Sequence, residues 1–232
     1  MGLGTYHSHG PPITHSACRG WFWDVRPDKT PRLPQNNVRA RSETMREFPW
    51  HTDCSYEHAP PRYFALQVLQ PDRCGGGTLS VMKIDQLTRF LSLQARAALF
   101  EPEFRIKVPP EFIKQNNELH ITGSILGINE DDLSTIMRFR EDIVTPMTTR
   151  ATFALEELKS ALKDLELSSQ TTLHLKAAAL PERSINLLDN RRWLHARNDV
   201  KDPLRHLRRV RWNAIPFSRV QTSDKLVEMT KG

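Results

Sequence analysis

Strand-like runs stand at both ends of this 232-residue chain, with a long stretch of helical spacing between them. That order constrains the fold more than any single motif. Residues 62–69 (RYFALQVL) are rich in β-formers and run into Pro71 and the turn cluster from Asp72 to Gly77. Residues 78–82 predict the next short strand, and residues 21–25 an earlier one in an otherwise irregular start. From Ile84 the period changes, with Leu87, Phe90, Leu91, Leu93, Ala97 and Leu99 forming one helical stripe that reaches Phe100. A second helix is expected from Asn129 or Glu130, with Leu133, Ile136, Met137 and Phe139 on its apolar side. A third covers residues 152–167, with Phe153, Leu155, Leu158, Leu162 and Leu165 in register. Strand-like runs then return at 172–176, 184–188, 192–196 and 207–212. The pattern predicts a mainly β chain, a sandwich or barrel that carries helices in one long connection. A parallel βαβ plan lacks its phosphate turn, because Gly75-Gly76-Gly77 precedes a strand and not a helix.

The division that follows is an N-terminal extended segment (1–47), a β domain (48–215) with a helical insert at about 84–167, and a C-terminal tail (216–232). With 38% hydrophobic and 26% charged residues there is material for one sizeable core, which excludes a wholly disordered chain. No apolar run reaches the roughly 18 to 20 residues of a membrane span, and the N-terminus has no secretory pattern. Cys18, Cys54 and Cys74 form no CxxC pair, so a reduced, cytoplasmic protein is the expectation.

The net charge of +6 is local. Residues 183–211 hold nine of the 33 Lys and Arg against three of the 27 acidic residues, and the remaining 24 of each sign cancel. A solvated basic face, an anion-binding wall and a nucleic-acid surface are the three readings of that segment. The nucleic-acid reading needs exposed aromatics between the cations. These cations are nearly all arginines on predicted strands, where some must point inward, so the expected partner is a small molecule, with no nucleic acid and no membrane.

Among nine histidines, one lies in an HxD triplet, His51-Thr52-Asp53. On a strand, residues two apart share a face, so one imidazole and one carboxylate can reach a single ion. A second imidazole from a distant strand would complete the 2-His-1-carboxylate set that holds non-heme Fe(II). His195, 144 residues downstream in Asp189-Asn190-Arg191-Arg192-Trp193-Leu194-His195, is the candidate. Arg205 and Arg209 follow it, four apart and able to share an inward face. Each guanidinium fork can bind a carboxylate through two bonds. His206 is expected to alternate away from them, and His7, His9, His15, His58, His120 and His174 have no motif partner.

FPWHTDCSYE (48–57), GGGTLSVM (75–82), and DNRRWLHAR followed by RHLRRVRW resemble the taurine dioxygenase/clavaminate synthase-like group of Fe(II)- and 2-oxoglutarate-dependent oxygenases. The resemblance covers about residues 47–215 and rests on four elements recurring in order. It implies a double-stranded β-helix (a cupin-like jelly roll) with a helical insert between the HxD motif and the distal histidine. His51, Asp53 and His195 would bind iron, while Arg205 and the Thr78 hydroxyl would bind the distal carboxylate of 2-oxoglutarate. Arg209 would hold the carboxylate or sulfonate of a small substrate. The implied reaction converts 2-oxoglutarate and O2 to succinate and CO2 while an unactivated C–H bond is hydroxylated, desaturated or closed into a ring.

Asp189 or Asn190 would support the metal ligands, Trp50 and Cys54 would pack, and Tyr56 or Glu57 would touch substrate. A homo-oligomer is compatible with all of this. Only fifty residues precede His51, fewer than the resemblance leads one to expect. A truncated relative impaired in catalysis is therefore the second reading.

Overall fold

A computed structural model of the chain describes residues 22–27, 39–113, 118–129, 132–214 and 217. Most of the expected 1–47 segment, with His7, His9, His15 and Cys18, lies outside the described residues, as does the 216–232 tail apart from Phe217.

Two four-stranded antiparallel sheets form the frame. Their strands are β1 (Trp23–Val25), β2 (Phe48–His51), β3 (Pro61–Gln70) and β4 (Leu79–Lys83). After the insert come β10 (Thr172–Leu175), β11 (Ile185–Asp189), β12 (Trp193–Arg197) and β13 (His206–Ala214). The insert contributes β5 (Phe104–Lys107), β6 (His120–Gly123), β7 (Leu126–Ile128), β8 (Thr135–Met137) and β9 (Val144–Pro146). Its helices are α1 (Ile84–Thr88), α2 (Leu93–Leu99) and α3 (Thr149–Glu166). One frame sheet runs β1-β13-β3-β11 and the other β10-β4-β12-β2.

The sheets lie face to face, because Trp23, Phe64, Leu66, Val68 and Leu207 of the first share one buried cluster with Leu79 and Val81 of the second. The strand period of two then sorts the second sheet's residues. Val81 and His195 are cross-strand partners on the inner side, where His51 pairs with His195 from the other flank. Their chain neighbours Trp50, Met82 and Leu194 are buried in a separate cluster with the insert. On β13 the same alternation buries Leu207, Arg209 and Arg211 and leaves His206, Arg208 and Val210 half-buried.

The expected frame strands are all present. The insert departs from the expectation in three places. The stripe over 84–100 is two helices, not one. Ser92 interrupts it and caps α2, its hydroxyl accepting from the Ala95 N–H at 3.1 Å. The helix expected from Asn129 is absent. Instead β7 and β8 pair antiparallel there, and Asp132 Oδ1 accepts from the Asn129 side chain and from Ser134. Leu133 sits there at φ 56° and is exposed. Short polar side chains that bond the local backbone compete with helix formation, and here they win. The third departure is a sheet of order β6-β5-β9 inside the supposedly helical segment. The helix expected over 152–167 is present as α3. Thr148 caps it, and Leu155, Leu158, Leu162 and Leu165 are buried while Phe153 is exposed. No described helix is long and apolar enough to cross a membrane.

Candidate metal centre and the cavities beside it

β2 ends at His51, and the chain turns out of the strand at Thr52. The Thr52 N–H donates to the Phe139 carbonyl at 2.7 Å and the Thr52 hydroxyl accepts from the Phe139 N–H at 3.0 Å. His51 and Asp53 therefore come together through a turn, and not through the strand period that the HxD spacing suggests. Asn190, 1% exposed, holds that turn. Its Oδ1 accepts from the Asp53 N–H at 2.7 Å, and its Nδ2 donates to the carbonyls of Asp53 (3.0 Å) and Pro61 (2.8 Å). Of the two expected supports, Asn190 is the one that touches the motif. Asp189 instead lies 3.6 Å from Arg62 and from Arg192.

His51, Asp53 and His195 are all buried, with one potential ligand atom from each within 4.8 Å of the others. Asp53 Oδ1 stands 3.8 Å from His51 Nε2 and 3.7 Å from His195 Nε2, too far for good hydrogen bonds and suited to donors that face a common ion. His51 Nδ1 is 2.8 Å from the Pro49 carbonyl. A carbonyl only accepts, so the proton sits on Nδ1 and the Nε2 lone pair faces the cluster. Burial and the adjacent His195 hold the His51 imidazole well below its usual range, so it is neutral. Burial opposes charge on Asp53, but Arg209 above all, with His195 and Arg211 nearby, keeps its carboxyl well below the ordinary value. Two buried imidazoles, that of His51 with its tautomer set, and one carboxylate form a donor set that fits a divalent iron ion. Phe48 stacks on His51 at 3.6 Å between ring centroids, with only 10° between the planes, which fixes that imidazole's orientation.

Two cavities meet at His51 and Arg209. The first is lined by both histidines, by Arg205, Arg209 and Arg197, and by the apolar side chains of Val25, Phe64, Leu66, Leu79 and Leu207. Arg205 is 5% exposed, and its Nη1 has no hydrogen-bond partner among the described residues. Burial lowers its pKa to about 10, partly offset by Asp72, so it remains a cation. Its placement depends on the glycine turn. Gly77 has φ 64°, and a Cβ there would stand 2.8 Å from Arg205 Nε, while one on Gly76 would stand 2.5 Å from the Asp199 carbonyl. Asp72 ties this turn to the segment before Arg205. Its Oδ1 accepts from the N–H groups of Cys74 (2.9 Å) and Gly76 (3.0 Å), and its Oδ2 from Lys201 (2.7 Å) and Asp202 (3.1 Å).

Arg209 reaches Asp53, Nη1 to Oδ1 at 2.9 Å, and its Nε has no partner among the described residues. Thr78 is half-buried next to Gly77 and is absent from the lining of both cavities. Its N–H donates to the Asn198 side chain at 2.7 Å. His206 faces away from Arg209 toward Asp24, at 3.1 Å, a carboxylate that it shares with Arg208. Trp50 and Cys54 are packed in the core, as expected, while Tyr56, but not Glu57, lines the second cavity.

Five of the nine basic residues in 183–211 are buried: Arg191, Arg197, Arg205, Arg209 and Arg211. Sequence reasoning missed Arg211, although its spacing of two from Arg209 on a strand was the available signal. It also missed Asp72, and Arg140, which bridges to His51 from the insert.

The fold is similar to that of solved iron-dependent oxygenases. No protein-family model matches the chain. L-asparagine oxygenase of Streptomyces coelicolor is 27% identical over 155 residues, which is 65% of this chain and 41% of that protein. The solved structure of asparagine oxygenase with Fe(II), 2S,3S-3-hydroxyasparagine and succinate superposes with a TM-score of 0.67 at 22% identity, covering 84% of this chain and 57% of that one. The non-heme iron oxygenase OrfP with Fe and alpha-ketoglutaric acid gives 0.62 at 18% identity, again over 84% and 57%. The chain thus spans about two fifths of the curated relative and somewhat over half of the solved structures. These likenesses bear out the family resemblance that the motifs carry.

Proposed function

We propose that residues 48–215 form an Fe(II)- and 2-oxoglutarate-dependent dioxygenase domain of double-stranded β-helix (jelly-roll) fold. It oxidises a small organic molecule that bears a carboxylate or sulfonate. The similar proteins are crystallised with hydroxyasparagine and with Fe and alpha-ketoglutaric acid, which favours an amino-acid-like substrate and a 2-oxoglutarate co-substrate. The observation that carries the reading is the buried convergence of His51, Asp53 and His195 at a cavity that also holds Arg205.

In this reading His51 Nε2, the Asp53 carboxylate and His195 hold the iron. The bound iron supplies activation of O2, coupled to conversion of 2-oxoglutarate to succinate and CO2. Arg205, desolvated at the end of an apolar cavity, binds the distal carboxylate of the co-substrate, and the Thr78 hydroxyl adds a bond to the same group. Leu66, Leu79 and Leu207 cover its methylenes and exclude water. Arg209 keeps Asp53 ionised and turns its remaining donors toward the substrate anion. Asn190 keeps Asp53 in place through the backbone and acts as a positioning residue.

The test needs no substrate. Anaerobic addition of Fe(II) and 2-oxoglutarate to the protein is expected to produce a weak visible charge-transfer band that requires both additions and is lost in His195→Ala. A folded wild-type protein without that band would overturn the proposal.

A further inference from the structure

Away from the metal centre, the first sheet ends on an open strand. Among the described residues β11 pairs only with β3. The Ser184 carbonyl accepts from the Val68 N–H at 2.9 Å, and the Asn190 N–H donates to the Arg62 carbonyl at 2.7 Å. Antiparallel pairing repeats that orientation at every second residue, so the N–H and C=O groups of Ile185 and Leu187 point off the open edge. Asn186 lines the first cavity and Leu188 packs on the inner cluster. Ile185 and Leu187 therefore lie on the outer face, where they are 66% and 65% exposed. Half-buried Ala65 and Val210 extend this apolar patch across the sheet, Leu187 pairing with Ala65 and Ala65 with Val210. Edge strands are commonly blunted by lysine or proline, and β11 carries neither.

The segment from Arg183 to Asp189 is complementary to itself. With two copies antiparallel about a two-fold axis at Asn186, Ile185 of each faces Leu187 of the other, and Arg183 faces Asp189. An axis at Leu187 would instead set Ile185 against the Asp189 carboxylate, so one register is singled out. We infer that this edge joins two copies of the chain into a symmetric dimer, in which two four-stranded sheets become one continuous sheet. The outward N–H and C=O groups of Ile185 and Leu187 bond across the axis, and their side chains cover one another on the outer face. The two-fold closes the edge, so strand addition stops at two copies. The Arg183 side chain is 91% exposed, with the Glu182 carboxylate 3.8 Å away, and it can turn to Asp189 of the second copy. Asp189 already stands 3.6 Å from Arg62 and from Arg192, so the added pair selects the register more than it adds affinity.

Sedimentation equilibrium of the full chain, from about 1 to 100 μM, decides the matter. The wild type is expected to pass from monomer to dimer within that range. Leu187→Lys alters an exposed side chain, leaves the fold intact by circular dichroism, and is expected to weaken association about tenfold or more. Arg183→Asp sets like charges at both ends of the pairing and is expected to weaken it about threefold. Asn186→Cys, in a Cys18→Ser and Cys74→Ser background, reads the register. Across the axis the two cysteines would form a non-hydrogen-bonded pair with Cα atoms about 4.5 Å apart, within reach of a disulfide. Mild oxidation is expected to convert that variant to a covalent dimer. A monomer at every concentration, a dimer that Leu187→Lys leaves intact, or a folded Asn186→Cys variant that does not cross-link would overturn the inference. Should Asn186→Cys fail to fold, Leu187→Lys and Arg183→Asp decide it together. The test needs neither iron nor 2-oxoglutarate, so its result is separate from that of the oxygenase reading.

Discussion

The two cavities that meet at His51 and Arg209 are built in opposite ways. The first is an apolar chamber in which the Arg205 guanidinium is placed by backbone devices: a positive-φ glycine against its side chain and a buried carboxylate gathering four N–H groups. The second is walled by guanidiniums that use carbonyls, carboxylates and a thiol from several loops. The difference teaches how one centre can treat two anions unequally. An arginine fixed at one end of a dry, mainly apolar chamber suits one ligand of fixed shape, while a wall assembled from several segments depends on how those segments pack. Because both cavities border the candidate metal centre and share His51, substitutions should divide into those that damage both and those that damage only one.

The largest effect belongs to the shared element. His195→Ala removes one of three donors and is expected to weaken Fe(II) binding by more than about 100-fold, beyond the usual cost of losing an outer support. Anaerobic metal titration measures it, and 2-oxoglutarate binding should be lost with the metal. Retained 2-oxoglutarate affinity in that variant would mean that the first cavity works independently of the metal.

Next comes Asp72→Ala, which strikes the first cavity alone. It strands four backbone donors at a site only 3% exposed, and the expected loss is about 3 kcal/mol of stability by urea unfolding at pH 7. Burial opposes the charge of Asp72, but those four N–H bonds hold its folded pKa below the ordinary carboxyl value. Its stabilisation is therefore present above the unfolded-state pKa and is lost as pH falls through the lowered folded value. The variant should show a smaller loss of stability than wild type on acidification. An equal acid sensitivity would show that Asp72 does not contribute to it.

How far these regions could be read in advance follows the same division. The frame strands were legible because each is a short β-rich run closed by turn residues, and His195 with Arg205 because they fall in one such block. The first cavity was thus largely visible, down to the glycines preceding Thr78. The second was not. It depends on where the 39–56 segment and Arg140 settle against β13, and Arg140 comes from an insert whose pattern misled. Ile136, Met137 and Phe139 are buried at spacings that imitate a helix face, yet Asp132 and Ser134 turn that segment into a hairpin. Local side-chain bonds decided the backbone there, and a hydrophobic pattern does not register them. The HxD pair shows the converse: His51 and Asp53 do converge with His195, although through a turn and not through the strand geometry used to pair them.

Gly77→Ala sharpens the contrast by adding one methyl group. It forces a side chain into the left-handed region and toward Arg205 Nε, at a cost of about 1 to 2 kcal/mol before any shift of Arg205. The expected result is roughly tenfold weaker 2-oxoglutarate binding by calorimetry, with Fe(II) affinity kept. Loss of both in equal measure would mean that the turn supports the whole centre and not one cavity.

The smallest effect tests the hydroxyl assigned to the same carboxylate. Thr78→Val keeps the shape and the backbone bond to Asn198 but removes the Oγ1 donor. Losing one hydrogen bond to an anion that Arg205 still holds should weaken 2-oxoglutarate about five- to tenfold, with Fe(II) affinity unaltered. Thr78 lines neither cavity, so the proposed bond from its hydroxyl to the carboxylate would require the side chain to turn. If Thr78→Val binds 2-oxoglutarate like wild type, Arg205 holds that carboxylate without it. The apolar chamber would then depend on a single charged side chain, which makes its contrast with the arginine-walled cavity sharper still.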